Sequence, residues 1–537
     1  MARNRTTSLP PTPLLEGLEP RLLLAGDVLA SVAGGCLTIA GDAAANDIRV
    51  MQVAAPPGEG ISVLIASGGN FTTINGRAAP LMLSGITRHV LVRLGDGNDA
   101  VVMTGLAVPR RLEIDVGDGN NRVAVLSSRV GRRLDVLAGE GLDTIDLLSL
   151  RVAGRVKADT GAGGSAVTLV GAHVGGSLLV DGGDGTDALY LRAGSSVGGG
   201  LRVCHGEGDS TTVIDGSEIA RCVRVTTLAG NDSFNLINGS RVGKWVKLVN
   251  GAGDSTTVVR GSEIGSGMVV TNGDGFDALS VTDGSSLGRL SVRNGDGGST
   301  TQIEASDVAG SVHIEGFGGV DEAMLLDGAT VQGKMRLLSG TGDSALTVSG
   351  SEVAGKLRYH SADGNASLSV SGSSVGDRLV MRNDLGAVDA RIESTSLGAL
   401  TIRNWLGEAS VTLHGVTVLG KSWVCTGTSD DTVTIDDCDF ADRFCLSTGA
   451  GADAVLIETA GGAAGPTTQF HGRTRIHTGD GDDSVTLGVA DAPGQSAEFL
   501  STDVRVHGGQ GTDTIDALAN GNTGLDAGQI RKFESVS

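Results

Sequence analysis

Gly139-Glu-Gly-Leu-Asp-Thr-Ile-Asp-Leu-Leu-Ser-Leu-Arg-Val-Ala-Gly-Arg-Val-Lys-Ala-Asp-Thr160 is followed without a break by Gly161-Ala-Gly-Gly-Ser-Ala-Val-Thr-Leu-Val-Gly-Ala-His-Val-Gly-Gly-Ser-Leu-Leu-Val-Asp-Gly182. The two 22-residue strings align position for position. Ile145 and Leu147 match Val167 and Leu169, Val152 matches Val174, and Val156 and Ala158 match Leu178 and Val180. Apolar and polar residues alternate, which is the period of a strand with one face buried. A chain that repeats this pattern stacks each strand on its own copy, about 4.8 Å away.

The register extends far beyond this pair. Gly-rich turns begin at Gly95, Gly117, Gly139, Gly161 and Gly183, and return at Gly206, Gly251, Gly273, Gly295, Gly340 and Gly449. About thirteen residues after each turn comes a large apolar residue, from Val108, Val130 and Val152 through Val375, Leu397 and Val418 to Phe440. Small residues usually flank it. No segment has a helical period. The sequence therefore predicts an all-β chain, a parallel β-solenoid (β-helix) of about nineteen ~22-residue coils. Each coil would hold two or three short strands and about five inward side chains, which only neighbouring coils can bury.

The pattern sets four segments. Residues 1–26 read as a disordered N-terminal arm and residues 27–94 as an irregular β cap. Residues 95–456 form the regular solenoid. Residues 457–537 hold coils at a spacing of about 30, marked by Phe470 and Phe499, and a C-terminal cap.

Composition agrees. Gly contributes 86 residues against 10 Pro, unlike a Pro/Gly linker. Aromatics are 3 %, so Val, Leu, Ile and Ala must fill the core. A net charge of −21 argues against nucleic acid as a partner. No apolar run reaches the ~18–20 residues of a membrane span. The six cysteines lack metal-site spacing and read as buried free thiols, with an approach of Cys425 to Cys445 as the alternative. Nothing in the sequence indicates an oligomeric state.

Two sets of residues could carry function. Asp96, Asp99, Asp118, Asp143, Asp184, Asp187, Asp274, Asp277, Asp480, Asp483 and Asp513 lie in Gly-rich turns. Carboxylates beside free carbonyls suit calcium, which takes six to eight oxygens. The competing reading is conformational: Gly supplies positive φ, while Asp, Asn and Ser hydrogen-bond their own backbone. Ser165, Ser210, Ser255, Ser299 and Ser344 occupy the Asp position in the middle coils and favour that second reading there.

The other set is an outward basic stripe: Lys157, Arg202, Arg224, Lys247, His313, Arg336 and Arg358, flanked by Arg133, Arg155, Lys244, Lys356 and Arg378. Like charges on adjacent strands repel. Such a ladder calls for acidic neighbours or for an anionic polymer, an anionic polysaccharide or cell-envelope component being the class that fits. It could also be a solvated face that discourages edge pairing.

Two catalytic motifs match in form only. Gly415-Val-Thr-Val-Leu-Gly-Lys-Ser422 has the P-loop spacing, but strand, not helix, is expected after it. The G-x-S-x-G elbow formula recurs at Gly194, Gly284 and Gly372 in one register, as a corner of the repeat.

Two resemblances add to this reading. Leu18-Glu-Pro-Arg-Leu-Leu-Leu-Ala-Gly26 resembles the LEPR-XLL motif near the N-terminus of large, repeat-rich surface proteins of planctomycete bacteria. That resemblance implies an exported, extracellular or cell-surface chain without known enzymatic activity. Gly182-Gly-Asp-Gly-Thr-Asp-Ala-Leu-Tyr190 and Gly508-Gly-Gln-Gly-Thr-Asp-Thr-Ile-Asp516 resemble the calcium-binding nonapeptide of haemolysin-type (RTX) repeats. The departure is that those repeats run in tandem every nine residues, whereas this chain has one turn per coil. The expected function is a non-catalytic scaffold or adhesin-like binding surface. One alternative is a polysaccharide lyase or glycosidase on a parallel β-helix, which would need outward Asp residues with an Arg or Lys on adjacent coils. Another is a calcium-dependent RTX-like module.

Overall fold

The computed structural model describes residues 26–55, 58–69, 72–459, 466–490, 492, 495–518 and 520–537. The expected N-terminal arm, with all but the last residue of the LEPR-like string, lies outside them. The chain is a parallel β-solenoid with three strands per coil. In one coil these are Arg133–Leu137, Asp143–Leu148 and Arg151–Val152. Each pairs in parallel with its equivalent 22 residues on: Leu134 with Val156, Ile145 with Val167, Val152 with Val174. Repetition builds three long sheets, here called first, second and third in the order a coil visits them. The first contains 23 strands.

The inward side chains of this coil are Leu134, Val136, Ala138, Ile145, Leu147, Leu150 and Val152, all buried, together with the buried carboxylate of Asp143. Alternation alone identified about five. Leu150 escaped because the chain turns before it through Ser149, whose φ of 51° breaks the period of two. Asp143 escaped because it is polar.

The column one residue after this left-handed corner is usually Ser, and its hydroxyl closes the turn. Ser285 Oγ donates to the carbonyls of Thr282 (2.7 Å) and Val259 (3.2 Å) and accepts the Ser262 N–H (3.3 Å). Ser285→Ala is expected to cost about 1–2 kcal/mol, because that buried amide loses its partner. The urea midpoint measures it.

The opposite corner, between the first and second sheets, packs backbone on backbone. Gly119 has φ 123°, and a Cβ there would lie 2.0 Å from the Gly97 carbonyl oxygen one coil earlier. Only glycine lets adjacent turns stack at strand spacing.

The ends differ from the middle. Asp27–Ala33 pairs antiparallel with Cys36–Ala40, and Ile61–Ser67 pairs antiparallel with both Asp47–Val53 and Leu81–Ile86. Cys36–Ala40 and Asp47–Val53 then join the parallel stack. Toward the C-terminus Phe440, Phe470 and Phe499 lie in register in the third sheet, with ring centroids 5.2 and 5.1 Å apart and near-parallel planes.

Beyond Lys421 the chain forms the strand Ser422–Cys425, so the P-loop spacing has no helix behind it. The cysteines need correction. Only Cys438 is buried, its thiol pushed up to about 12 by desolvation, and the other five are half-buried and free. Cys445 lies opposite Trp423, not Cys425, so those two thiols are diagonal neighbours.

Candidate functional site

The Gly-rich corner separates its aspartates into two sets. Asp96, Asp118, Asp184, Asp274 and Asp480 are exposed on the outside of the turn. Three of them brace the next coil: Asp118 accepts the Glu140 N–H (2.9 Å), Asp184 the Glu207 N–H (2.9 Å) and Asp274 the Asp296 N–H (3.2 Å). Asp480 accepts from the Gln510 amide (3.1 Å).

Asp99, Asp143, Asp187, Asp277, Asp483 and Asp513 point inward and are buried. They begin or immediately precede the second-sheet strands, and each carboxylate serves the coil before it. Asp99 accepts the Asn46 N–H (2.7 Å), Asp143 the Asn121 N–H (2.9 Å), and Asp513 the Asp483 N–H (3.1 Å). Turn aspartates thus bond the neighbouring coil's backbone, not only their own.

In the middle of the rod this column alternates. Asp143, Ser165, Asp187, Ser210, Asp232, Ser255, Asp277, Ser299, Asp321 and Ser344 follow one another in register. Each Ser hydroxyl before an Asp donates to that carboxylate: Ser165 to Asp187 (2.7 Å), Ser210 to Asp232 (2.6 Å), Ser299 to Asp321 (2.6 Å). A neutral hydroxyl between carboxylates places the like charges about 9.6 Å apart instead of 4.8 Å. The first sheet supplies further inward polar groups beside the column, including Thr160, Asn272, Asn294 and His205, whose Nδ1 lies 3.5 Å from Asp187.

These carboxylates are costly to ionise. Burial pushes Asp99, Asp277 and Asp431 up to about 6, and shifts Asp143, Asp321, Asp453 and Asp483 upward as well. One oxygen of Asp99, Asp143, Asp277, Asp453 and Asp483 has no hydrogen-bond partner among the described residues. The alternation was readable as a two-coil period in the sequence.

Calcium was the ion these turns suggested. Within each turn the two aspartates lie on opposite sides of the backbone wall. Among the described residues, the turns bring no three Asp, Glu, His or Cys ligand atoms within 4.8 Å of one another. An ion needing six to eight oxygens would therefore have to take most of them from backbone carbonyls of the turns.

The basic stripe lies on the outer face of the first sheet. Arg202, Arg224 and Lys247 stand in register, as do His313, Arg336 and Arg358. Lys157 is neutralised by Asp159 (2.7 Å). Arg202, Arg224, Lys247, Arg336 and Arg358 have no carboxylate within 4.0 Å among the described residues, and neither do Lys334, Lys356, Arg378 or Arg382. His313, Lys334, Arg336, Lys356 and Arg358 line a shallow groove of ≈ 380 Å³. Burial and the Arg358, Arg378 and Arg382 guanidiniums push Lys356 below the usual lysine range. Burial and Arg336 also push His313 downward, against the opposing pull of Glu315, whose carboxylate lies 3.8 Å from its Nε2. Trp423, half-exposed on this face, carries the Arg403 guanidinium 5.1 Å from its ring.

The same face holds outward acids nearer the N-terminus. Glu113 and Asp135 are register partners. Arg93 pairs with Glu113 (3.2 Å), Arg111 with both acids, and Arg133 with Asp135 (3.1 Å).

Compared with protein-family models, curated proteins and solved structures, the chain matches none. No helix among the described residues is long and apolar enough to cross a membrane.

Proposed function

We propose that this chain is a non-catalytic extracellular or cell-surface β-solenoid whose first sheet binds an anionic polymer, an envelope polysaccharide being the class that fits. The observation that carries this is the groove where Arg336 and Arg358 stand on adjacent strands and Lys334 and Lys356 just precede them, four cations with no carboxylate within 4.0 Å among the described residues. Strand spacing and side-chain period set them on a grid of about 4.8 by 6.6 Å, dense enough to repel unless a polyanion lies along it. The LEPR-like string supports an exported location.

Binding to polygalacturonate and to a sulfated polysaccharide, measured by titration calorimetry at several salt concentrations, tests the reading. Replacing the four residues by Gln should weaken binding about 30-fold at low salt, at roughly 0.5 kcal/mol per cation. The difference should shrink as salt rises. Equal binding by wild type and variant would sink the proposal.

A second reading, a polysaccharide lyase or glycosidase, rests on the adjacent acids Glu113 and Asp135 with Arg111 between them. Both carboxylates are already engaged by guanidiniums. Polymer cleavage that disappears in Glu113→Gln and Asp135→Asn would establish this reading over the first.

A further inference from the structure

We propose that His414, Asp436 and Asp437 bind a divalent cation of the zinc class at the C-terminal ends of two second-sheet strands, just before the regular coil spacing gives way to the longer one. His414 and Asp436 are register partners on adjacent strands. The His414 Nδ1 atom lies 3.5 Å from an oxygen of Asp436 and 3.9 Å from one of Asp437, and the three ligand atoms fall within 4.8 Å of one another. Ligands about 2.0–2.1 Å from a tetrahedral zinc stand about 3.3 Å apart, so the trio closes on an ion by side-chain movements on the order of 1 Å. Imidazole with carboxylates is a donor set for zinc and its first-row neighbours, not for calcium.

A buried acid beside the cluster gives independent support. Glu458 comes one coil later, just after the Ile435–Ile457 register pair, and is 0 % exposed. One of its oxygens accepts the N–H groups of Asp437 (2.9 Å) and Thr468 (2.6 Å). Its other oxygen has no hydrogen-bond partner among the described residues, and neither has one oxygen of Asp436, which is 6 % exposed. Ionised carboxylates only accept, so buried oxygens left without a donor are costly unless positive charge joins them. His414, with 47 % of its side chain exposed, leaves a route for an ion from solvent.

Glu458 is a positioning residue. By taking the Asp437 amide it fixes that residue's left-handed backbone (φ 54°) and so aims its carboxylate. The alternative source of the missing charge is a proton shared by Asp436 and Glu458, which would need no metal.

Titrating the full chain at pH 7 with zinc chloride, and separately with cobalt chloride followed by visible absorption, separates the two. The expected result is one equivalent bound, a cobalt spectrum of nitrogen and oxygen ligands without thiolate charge transfer, and at least about tenfold weaker binding in His414→Ala and Asp437→Asn. Asn tolerates the left-handed conformation and His414 is exposed, so both variants should keep the wild-type circular dichroism. No stoichiometric binding by wild type, or binding unchanged in both variants, would overturn the metal site and leave the shared proton.

Discussion

Replacing Asp99, Asp277 and Asp431 together by Asn should raise the unfolding midpoint at pH 7 and flatten its pH dependence between about 4 and 6. In the wild type, burial holds each of these carboxyls up to about 6, whereas an unfolded Asp titrates near 3.9. Between those values the folded chain binds more protons than the unfolded one. Stability therefore falls as pH rises through the window, and the loss is complete above it. Two units correspond to about 3 kcal/mol for each carboxylate, an upper figure because the surroundings relax. The three sites lie many coils apart, so their effects should nearly add.

Asn is a native solution to the same position. Asn121, in this column, accepts the Asp99 N–H (2.9 Å) through its oxygen and donates to the carbonyls of Gly117 and Gly119 (3.0 Å each). The same substitution at Asp99 would place an amide beside the carbonyls of Gly95 and Gly97. Urea titrations at pH 4, 5, 6 and 7 read the outcome. If instead the turns hold calcium, the triple variant will be less stable than wild type in millimolar calcium, and the calcium-induced shift will vanish with it.

Phe470→Ala should cost about 3–5 kcal/mol and loosen the last coils before the rest of the rod. Its ring is fully buried, stacked between Phe440 and Phe499, with Phe444 5.0 Å away in a tilted contact. Nothing beside it can collapse into the space, since the rings above and below are held by the third sheet's register. In a stack where each coil touches only its neighbours, losing one interface separates the coils beyond it. Hydrogen exchange should show protection falling first at Gln469–Phe470, Glu498–Phe499 and Val504–Gln510. Uniform loss along the whole chain would contradict that localised picture.

The architecture was legible because identical apolar residues recur at 22-residue steps, and the large residue of the third sheet marked every coil from Val108 to Phe440. The third strand itself was harder to see. Two residues long, as at Arg151–Val152, it is too short to show alternation. The aspartates were placed in the right turns, yet sequence could not say which side of the wall each faced. Asp96 and Asp99 lie three positions apart, one exposed and the other buried, because the left-handed Gly97 between them turns the chain. The proposed metal-binding trio was invisible for another reason: His414 and Asp436 belong to different coils, in a column whose residue type varies through Ser349, Ser371 and Glu393.

The alternating Asp and Ser of the buried column also constrain how such a rod can be lengthened. From Asp143 to Ser344 the interchangeable module is a pair of coils, 44 or 45 residues, since Asp143 matches Asp187 and Asp187 matches Asp232. Duplicating one coil would set carboxylate against carboxylate or hydroxyl against hydroxyl at the new junction. Duplicating two preserves every donor and acceptor. Descendants of this segment should therefore differ in length by even numbers of coils, whereas the run Asp431, Asp453, Asp483, Asp513, which relies on backbone amides, carries no such parity rule.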